Sequence, residues 1–311
     1  MARTASLRTR LHPSYRSATA CLLFPAQLHS TLATGDGWPG YCVESFMSLE
    51  PYLPVTSSTE PEWASAARDF YREVLLSLHD IPWAVGGALA LQWHTGIWRA
   101  TKDLDLLLPP QAVPTALRQL GARGFLTCIE DSVWLAKVRH GEYFVDLITG
   151  LSNACLIVDE SWIDRSVSGK ILEIDCRILA PEELIASKIF VTRRERFDGA
   201  DVVQLLRACG SELDWKRLMH LVESHWQLLY WSLVLFAYIY PSQTQLIPTF
   251  VWQQLNDRFL TEVRQPCNGE PFRGSLVDPR MFAINVNEWG ERDLYSEYRD
   301  RHPCLLQVEE K

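Results

Sequence analysis

No two of the eight cysteines form a CxxC pair; they stand alone at 21, 42, 128, 155, 176, 209, 267 and 304. That spacing gives no support to a zinc knuckle or a dithiol redox pair. Dense pairing of the kind that staples short secreted scaffolds is also missing, so reduced thiols in a cytoplasmic protein are the expectation. No apolar run reaches the ~18 residues that a membrane-spanning helix needs. The nearest, Leu228 to Tyr240, stops at Pro241 and reads as a buried helix. Neither a Ser-His-Asp grouping nor a pair of catalytic glutamates is visible, which ranks hydrolase chemistry last. Excess positive charge is lacking as well: 30 Lys and Arg face 38 Asp and Glu, a formal net charge of −8. That balance argues against a surface covered in nucleic-acid contacts while leaving room for a local basic groove.

What is present suits a globular protein. The 311 residues, 47% hydrophobic and 22% charged, are enough for one large domain or two ordinary ones with a sizeable core. The first 46 residues differ from the rest. They hold Arg3, Arg8, Arg10 and Arg16, no lysine, and no acid before Asp36. This is the composition of a transit peptide. A disordered tail, or sequence upstream of a start at Met47, is the favoured reading, because composition alone discriminates weakly. With four arginines and two acids in this stretch, its removal takes the net charge from −8 to −10.

Order is expected from about Thr59, where Thr59-Glu60-Pro61-Glu62 fits a capping box with proline in the first turn. Trp63, Ala67, Phe70, Tyr71, Val74 and Leu78 then recur at helical spacing. Ile81 to Val85 reads as a strand, Gly86-Gly87 as a turn into a helix from Ala88 to about His94, and Thr95-Gly96 as its end. Asp103 to Leu108 is a second strand, and Gln111 to Gly121 a helix with Val113, Leu117 and Leu120 on one face. Strands are predicted over Gly124–Ile129, Val133–Arg139 and Glu142–Thr149, the last two joined by a tight turn at His140-Gly141. A further hairpin is predicted to turn at Ser168-Gly169 and run into Ile171–Leu179. From Pro181 the pattern becomes helical. Helices are predicted to start at Pro181, with acids at the positive dipole end, at Asp198 and at Asp214, then over Leu228–Tyr240 and from Pro248 to Val263. The expectation is therefore an α+β protein. It has an N-terminal extension (1–58), a mixed-sheet core of about five strands with flanking helices (59–180), a C-terminal helical domain (181–265) and an irregular segment packed on the body (266–311).

One stretch concentrates the chemistry. Between Ile81 and Leu108 the chain reads IPWAVGGALALQWHTGIWRATKDLDLLL. Two glycines after a strand allow a close backbone approach, and Asp103 and Asp105, two apart on a strand, point to one face. Asp146 lies on a later strand of the same expected sheet. If those strands are adjacent, three carboxylates converge. An oxygen-only cluster of that kind suits Mg2+, which takes carboxylates together with substrate phosphates. Two such ions about 4 Å apart can clamp an in-line phosphoryl displacement. The bland readings are a solvated strand edge for the aspartate pair, a plain tight turn for the glycines, and an arginine partner for Asp146.

These residues, in this order, resemble the nucleotidyltransferase superfamily that shares the DNA polymerase β core. Within it, GGALALQWHTGIWRATKDLDLLL is similar to the AbiEii-type nucleotidyltransferases, with their Gly-Gly-x-Ala-Leu start and Arg-x-Thr-x-Asp-Leu-Asp finish. A second block, ELIASKIFVTRRERFDGADVVQLL, resembles the family's downstream helical motif through Lys188, Asp198 and Asp201. It departs from that pattern at Phe197, where Arg-Asp is common. The resemblance spans roughly residues 65 to 210.

It implies the following roles. Gly86 and Gly87 hold nucleotide phosphates through backbone N–H groups at a helix start. Asp103 and Asp105 ligate both metals, and Asp146 ligates the catalytic one and helps deprotonate the acceptor hydroxyl. Lys188 contacts the triphosphate, with snorkelling over apolar surface as the structural alternative. Arg99 and Thr101 orient the carboxylates or touch phosphate. The implied cofactor is Mg2+ or Mn2+, the co-substrate an NTP, and the acceptor an RNA end, a protein or a small molecule. Membership also implies a toxin or phage-defence protein with an antitoxin partner. The alternative from another class is a non-catalytic binding or regulatory module on the same fold. Outside the proposed site, Asp198 reads as a helix N-cap, Arg193, Arg194 and Arg196 as a solvated charge run, and His94 as a helix-end residue.

Overall fold

Strands with one apolar and one polar face are what the alternation Asp103-Leu104-Asp105-Leu106 implies. The computed structural model describes residues 55–57, 65–99, 101, 103–266 and 269–302. Its elements in chain order are β1 (Val55–Ser57), α1 (Ser65–Ser77), β2 (Ala84–Val85), α2 (Gly87–Thr95), β3 (Ile97–Arg99), β4 (Asp103–Leu107), α3 (Val113–Ala122), β5 (Leu126–Asp131), β6 (Leu135–His140), β7 (Tyr143–Ile148), α4 (Glu160–Arg165), β8 (Val167–Ile171), β9 (Ile174–Ile178), α5 (Pro181–Lys188), β10 (Thr192–Arg193), β11 (Arg196–Phe197), α6 (Gly199–Cys209), α7 (Trp215–Leu221), α8 (Trp226–Ile239), α9 (Thr249–Arg264), α10 (Gly274–Val277), α11 (Ala283–Asn287) and α12 (Leu294–Asp300). Seven strands make one mixed sheet in the order β5-β6-β7-β4-β2-β9-β8. Within it β4 is parallel to β7 and β2 to β9, and the other neighbours are antiparallel. The fold is α+β, a mixed sheet with flanking helices. Among the described residues no helix is long and apolar enough to cross a membrane.

The two faces of this sheet have different tasks. Leu104, Leu106, Ala136, Val138, Val145 and Leu147 are fully buried on one of them. There α1 and α3 pack over β6 and β7, with Tyr71 meeting Tyr143 at a ring separation of 6.4 Å. Each large aliphatic side chain so buried contributes roughly 1.5–3 kcal/mol. The other face carries Asp103, Asp105 and Asp146.

The capping box at Thr59–Glu62 and Trp63 lie outside the described residues. Strand β1, within the stretch expected to be an extension, pairs with β3. The expected turn at Ser168-Gly169 falls inside β8, and the chain reverses at Leu172-Glu173, both with positive φ (52° and 63°). Gly169 is small for a different reason. A Cβ there would sit 2.8 Å from Ile178 Cγ1 and 3.0 Å from the Trp93 ring, so it allows close packing. A left-handed residue other than glycine costs roughly 1–2 kcal/mol, offset in part by the ~0.5–1 kcal/mol that glycine's own flexibility costs. Glu173→Gly is therefore expected to stabilise the protein by about 0.5–1 kcal/mol, read as a rise in Tm on the order of 2 °C by calorimetry.

The helical half follows the capping signals closely. Asp214 accepts a hydrogen bond from the Arg217 N–H at 3.0 Å and starts α7. The acids after Pro181 stand in the first turn of α5, as expected, and each also has a partner across the fold. Glu183 is fully buried and accepts from Arg217 Nε at 2.9 Å, and Glu182 accepts from the Asp214 N–H at 2.6 Å. They tie α5 to α7. The final segment was expected to be irregular and instead holds α10, α11 and α12. Helices of four, five and seven residues are too short to display a period. The segment is strapped to the sheet end of the molecule. Asn153 Nδ2 donates to the Leu276 carbonyl at 2.9 Å, and Arg299 donates to Asp131 at 3.0 Å and to the Ser152 carbonyl at 2.8 Å.

Candidate active site

Strands β4 and β7 bring the carboxylates together. Asp105 stands directly opposite Asp146, and Asp103 opposite Phe144. Parallel partners share a face, as do residues two apart on one strand. Each of the three aspartates therefore offers an oxygen within 4.8 Å of the others, and among the described residues no other such metal-holding group of His, Cys, Asp or Glu occurs. Asp146 is buried, while Asp103 and Asp105 keep partial access to a cleft of about 470 Å3. That cleft is of small-ligand size. Beyond the triad, its walls include Trp134, Trp162, Phe190, Asn153, Arg193 and Leu276.

Crowding three carboxylates has an electrostatic cost. Burial first, and then the charges of Asp103 and Asp146, push the Asp105 carboxyl up to about 7 against the opposing pull of Lys188 and Arg196. Burial also raises Asp146, and Lys137 opposes that rise. Lys137 Nζ lies 3.0 Å from Asp146 Oδ1 and 3.4 Å from Oδ2. Only the longer contact has hydrogen-bond geometry, so Oδ1 is charge-paired yet accepts no hydrogen bond. A buried acceptor left unmet, facing two more carboxylates, fits an oxygen-ligated divalent cation, which would supply the positive charge that the cluster needs.

The glycine turn touches the triad directly. Gly87 has φ +53°, and a Cβ on it would overlap Asp105 Oδ2 and lie 2.6 Å from Asp105 Cγ. The Gly86 N–H donates to the Asp105 carbonyl at 2.9 Å, so this amide is a sheet bond and is not turned to the cleft. Helix α2 begins at Gly87 with no side chain capping it, and both Gly87 and Ala88 line the cleft. Thr101 also lines it, its hydroxyl donating to Asp103 Oδ1. Arg99 ends β3 opposite Val55; nothing of its side chain is described.

Lys188 borders the same cleft, but its ammonium is held at 3.1 Å by Asp198 and 2.7 Å by Asp201. Asp198 sits at the N-cap position of α6 without capping it. Its carboxylate is bound by Lys188 and, at 3.1 and 3.2 Å, by Arg196. Burial would raise the Asp198 carboxyl, and these two cations outweigh it and hold it below the usual range. Of the arginines expected on a solvated face, Arg194 and Arg196 are exposed, Arg196 at the edge of the cleft, while Arg193 is half-buried in its wall and donates to Ser152 Oγ at 2.8 Å. His94 donates through Nε2 to the Leu179 carbonyl at 2.8 Å, a structural bond between α2 and the end of β9.

Lys137, Trp134, Trp162, Phe190 and Leu276 were not singled out from the sequence. For Lys137 a signal existed. A turn at His140-Gly141 would pair it with Phe144, whereas the observed turn at Gly141-Glu142 pairs it with Asp146. Trp134 and Phe190 come from turns, and Trp162 and Leu276 from helices of six and four residues, too short to display a period.

No protein-family model matches the chain, and none of the curated proteins compared with it does. Several solved structures are similar in part. The antibiotic-resistance factor ANT(2'')-Ia aligns over 57% of this chain and 99% of its own at 16% identity and a TM-score of 0.39. The lincosamide antibiotic adenylyltransferase LnuA, solved with lincomycin bound, aligns over 46% and 98% at 13% identity and 0.32. An antigenic nucleotidyltransferase-like protein from Paracoccidioides brasiliensis aligns over 55% and 93% at 15% identity and 0.33. At these values the likeness is loose, and the carboxylate geometry is what carries chemical meaning.

Proposed function

We propose that this protein is an Mg2+-dependent nucleotidyltransferase of the AbiEii type, moving a nucleoside monophosphate from an NTP to an acceptor hydroxyl with release of pyrophosphate. One observation carries the reading: three carboxylates from two parallel strands, in register, converge beside a glycine turn at the edge of a ligand-sized cleft. Asp103, Asp105 and Asp146 would hold the metal ions. Bound there, divalent cations would neutralise phosphate charge and activate the attacking hydroxyl. The chain's own contributions are distinct. The amides at the start of α2 favour phosphate through their N–H groups and the helix dipole. Asp146, whose Oδ1 accepts no hydrogen bond, would accept the proton of the acceptor hydroxyl. Thr101 fixes the orientation of Asp103. Half-buried Trp134, on the cleft wall, would stack on a base or a planar acceptor.

Incubating the protein and Mg2+ with each α-labelled NTP and separate pools of RNA, protein and small metabolites tests the reaction and names the acceptor. Label in no pool, with Mg2+ or Mn2+ and any NTP, would sink the reading. On the AbiEii resemblance the protein is a cytoplasmic toxin paired with an antitoxin. Growth arrest on expression, relieved by Asp105→Asn, is the expected sign.

A pH effect follows from Asp105. Its proton is held more tightly in the folded protein, near 7, than in an unfolded chain, where an aspartate titrates near 3.8. The contribution of this group to the metal-free protein is therefore fully favourable below about 4 and is lost as pH rises to about 7. Mg2+, which needs the ionised carboxylate, is expected to raise Tm more at pH 8 than at pH 5. Melting curves with Mg2+ and with EDTA at the two pH values check this; an equal shift at both would contradict it.

A further inference from the structure

Among the described residues, one cation meets the triad directly. Lys137 on β6 is the register partner of Asp146 on β7, which is the partner of Asp105 on β4, so the three form a row across three strands on one face. Its ammonium lies 3.0 Å from Asp146 Oδ1 and 4.3 Å over the centre of the Phe144 ring. The two charged side chains are 13% and 12% exposed, so solvent screens their attraction only in part. Of the other cations lining the cleft, Lys188 and Arg196 are compensated by Asp198 and Asp201, and Arg193 donates to Ser152 Oγ. With all three carboxylates ionised, as cation binding requires, and one ammonium beside them, two negative charges remain, the complement of a single divalent cation.

We propose that Lys137 is a positioning residue and resident counter-cation for Asp146, setting the site to hold one divalent cation before nucleotide arrives and a second only with the triphosphate. The proposal rests on the nucleotidyl-transfer reading. Lys137 holds the Asp146 carboxylate in the row and excludes a second free cation by repulsion. The NTP brings enough negative charge to overcome that repulsion. The role makes opposite demands on binding and turnover: loss of the ammonium strengthens cation binding while disordering the carboxylate that the reaction uses.

The test is titration of the full chain with Mn2+ alone, free Mn2+ being read by its EPR signal, in wild type, Lys137→Met, Lys137→Arg and Asp105→Asn. One Mn2+ per chain is expected for wild type. Lys137→Met should bind Mn2+ roughly tenfold more tightly or take up a second ion, yet lose at least tenfold in kcat for NMP transfer. Lys137→Arg should restore both wild-type values. If Lys137→Met does not fold, Lys137→Gln carries the same expectation. Two ions on wild type without nucleotide, or unchanged Mn2+ binding in the uncharged variant, would overturn the role of Lys137 while leaving nucleotidyl transfer standing. Mn2+ binding that Asp105→Asn does not reduce, or no binding by wild type with or without NTP, would overturn the nucleotidyl-transfer reading and the Lys137 role together.

Discussion

Asp105→Asn is expected to abolish nucleotidyl transfer and, in the same protein, to leave the metal-free fold as stable as wild type or more so. The two halves of this expectation have one cause. Asp105 faces Asp103 and Asp146, and that crowding with its burial lifts the carboxyl to about 7. At neutral pH the wild-type protein therefore bears the repulsion of close like charges. An amide of the same shape removes it. What the amide cannot do is ligate a divalent cation as a carboxylate does, and the loss in transfer is expected to be about 10³-fold or more, equivalent to roughly 4 kcal/mol of transition-state stabilisation. Rates with labelled NTP, set beside calorimetric melts in EDTA, give both numbers. Activity within tenfold of wild type would remove Asp105 from the metal-binding set. A drop in Tm of several degrees in EDTA would mean that the residue serves the fold instead.

Much of this arrangement was legible in the chain, for identifiable reasons. Asp103 and Asp105 could be placed on one face because strand periodicity is strict, and the capping residue Asp214 announced its helix because a short carboxylate before an apolar stripe has few other uses. What escaped depends on tertiary contact. Gly169 has the composition of a turn, and the Ile178 side chain and Trp93 ring beside it explain why it lies inside a strand. Leu172 and Glu173 turn the chain although neither is a turn former, since the pairing of β8 with β9 fixes where the reversal must fall. Local dipole logic places Glu182 and Glu183 in the first turn of α5, but it cannot show their partners, the Asp214 N–H and Arg217, about thirty residues away. Lys137 was missed by a shift of one residue in the turn between β6 and β7. That shift moves every cross-strand partner by two and substitutes Phe144 for Asp146 opposite the lysine.

The two adjacent glycines separate a backbone requirement from mere smallness, and their alanine variants are expected to differ sharply. Gly87 combines a left-handed φ of +53° with contact against the triad; a Cβ would overlap Asp105 Oδ2 and lie 3.0 Å from Asp105 Cβ. The carboxylate cannot retreat freely, because the Asp105 carbonyl is bonded to the Gly86 N–H and its strand is paired on both sides. Gly87→Ala must therefore turn the Asp105 side chain out of the row or distort the start of α2, at roughly 1–2 kcal/mol for the left-handed backbone alone. Transfer should fall by about 10²-fold or more, since small displacements at a reacting centre have costs of that order. Gly86 has an ordinary negative φ of −117°. A Cβ there meets chiefly the Cδ1 methyl of Leu107, the far end of a side chain that can rotate. Gly86→Ala should lose less than tenfold, and its Mn2+ affinity should stay near wild type while that of Gly87→Ala falls with the displaced carboxylate. Equal losses in the two variants would show that α2 needs two small residues for packing, and that the contact between Gly87 and Asp105 has no part in shaping the metal-binding face.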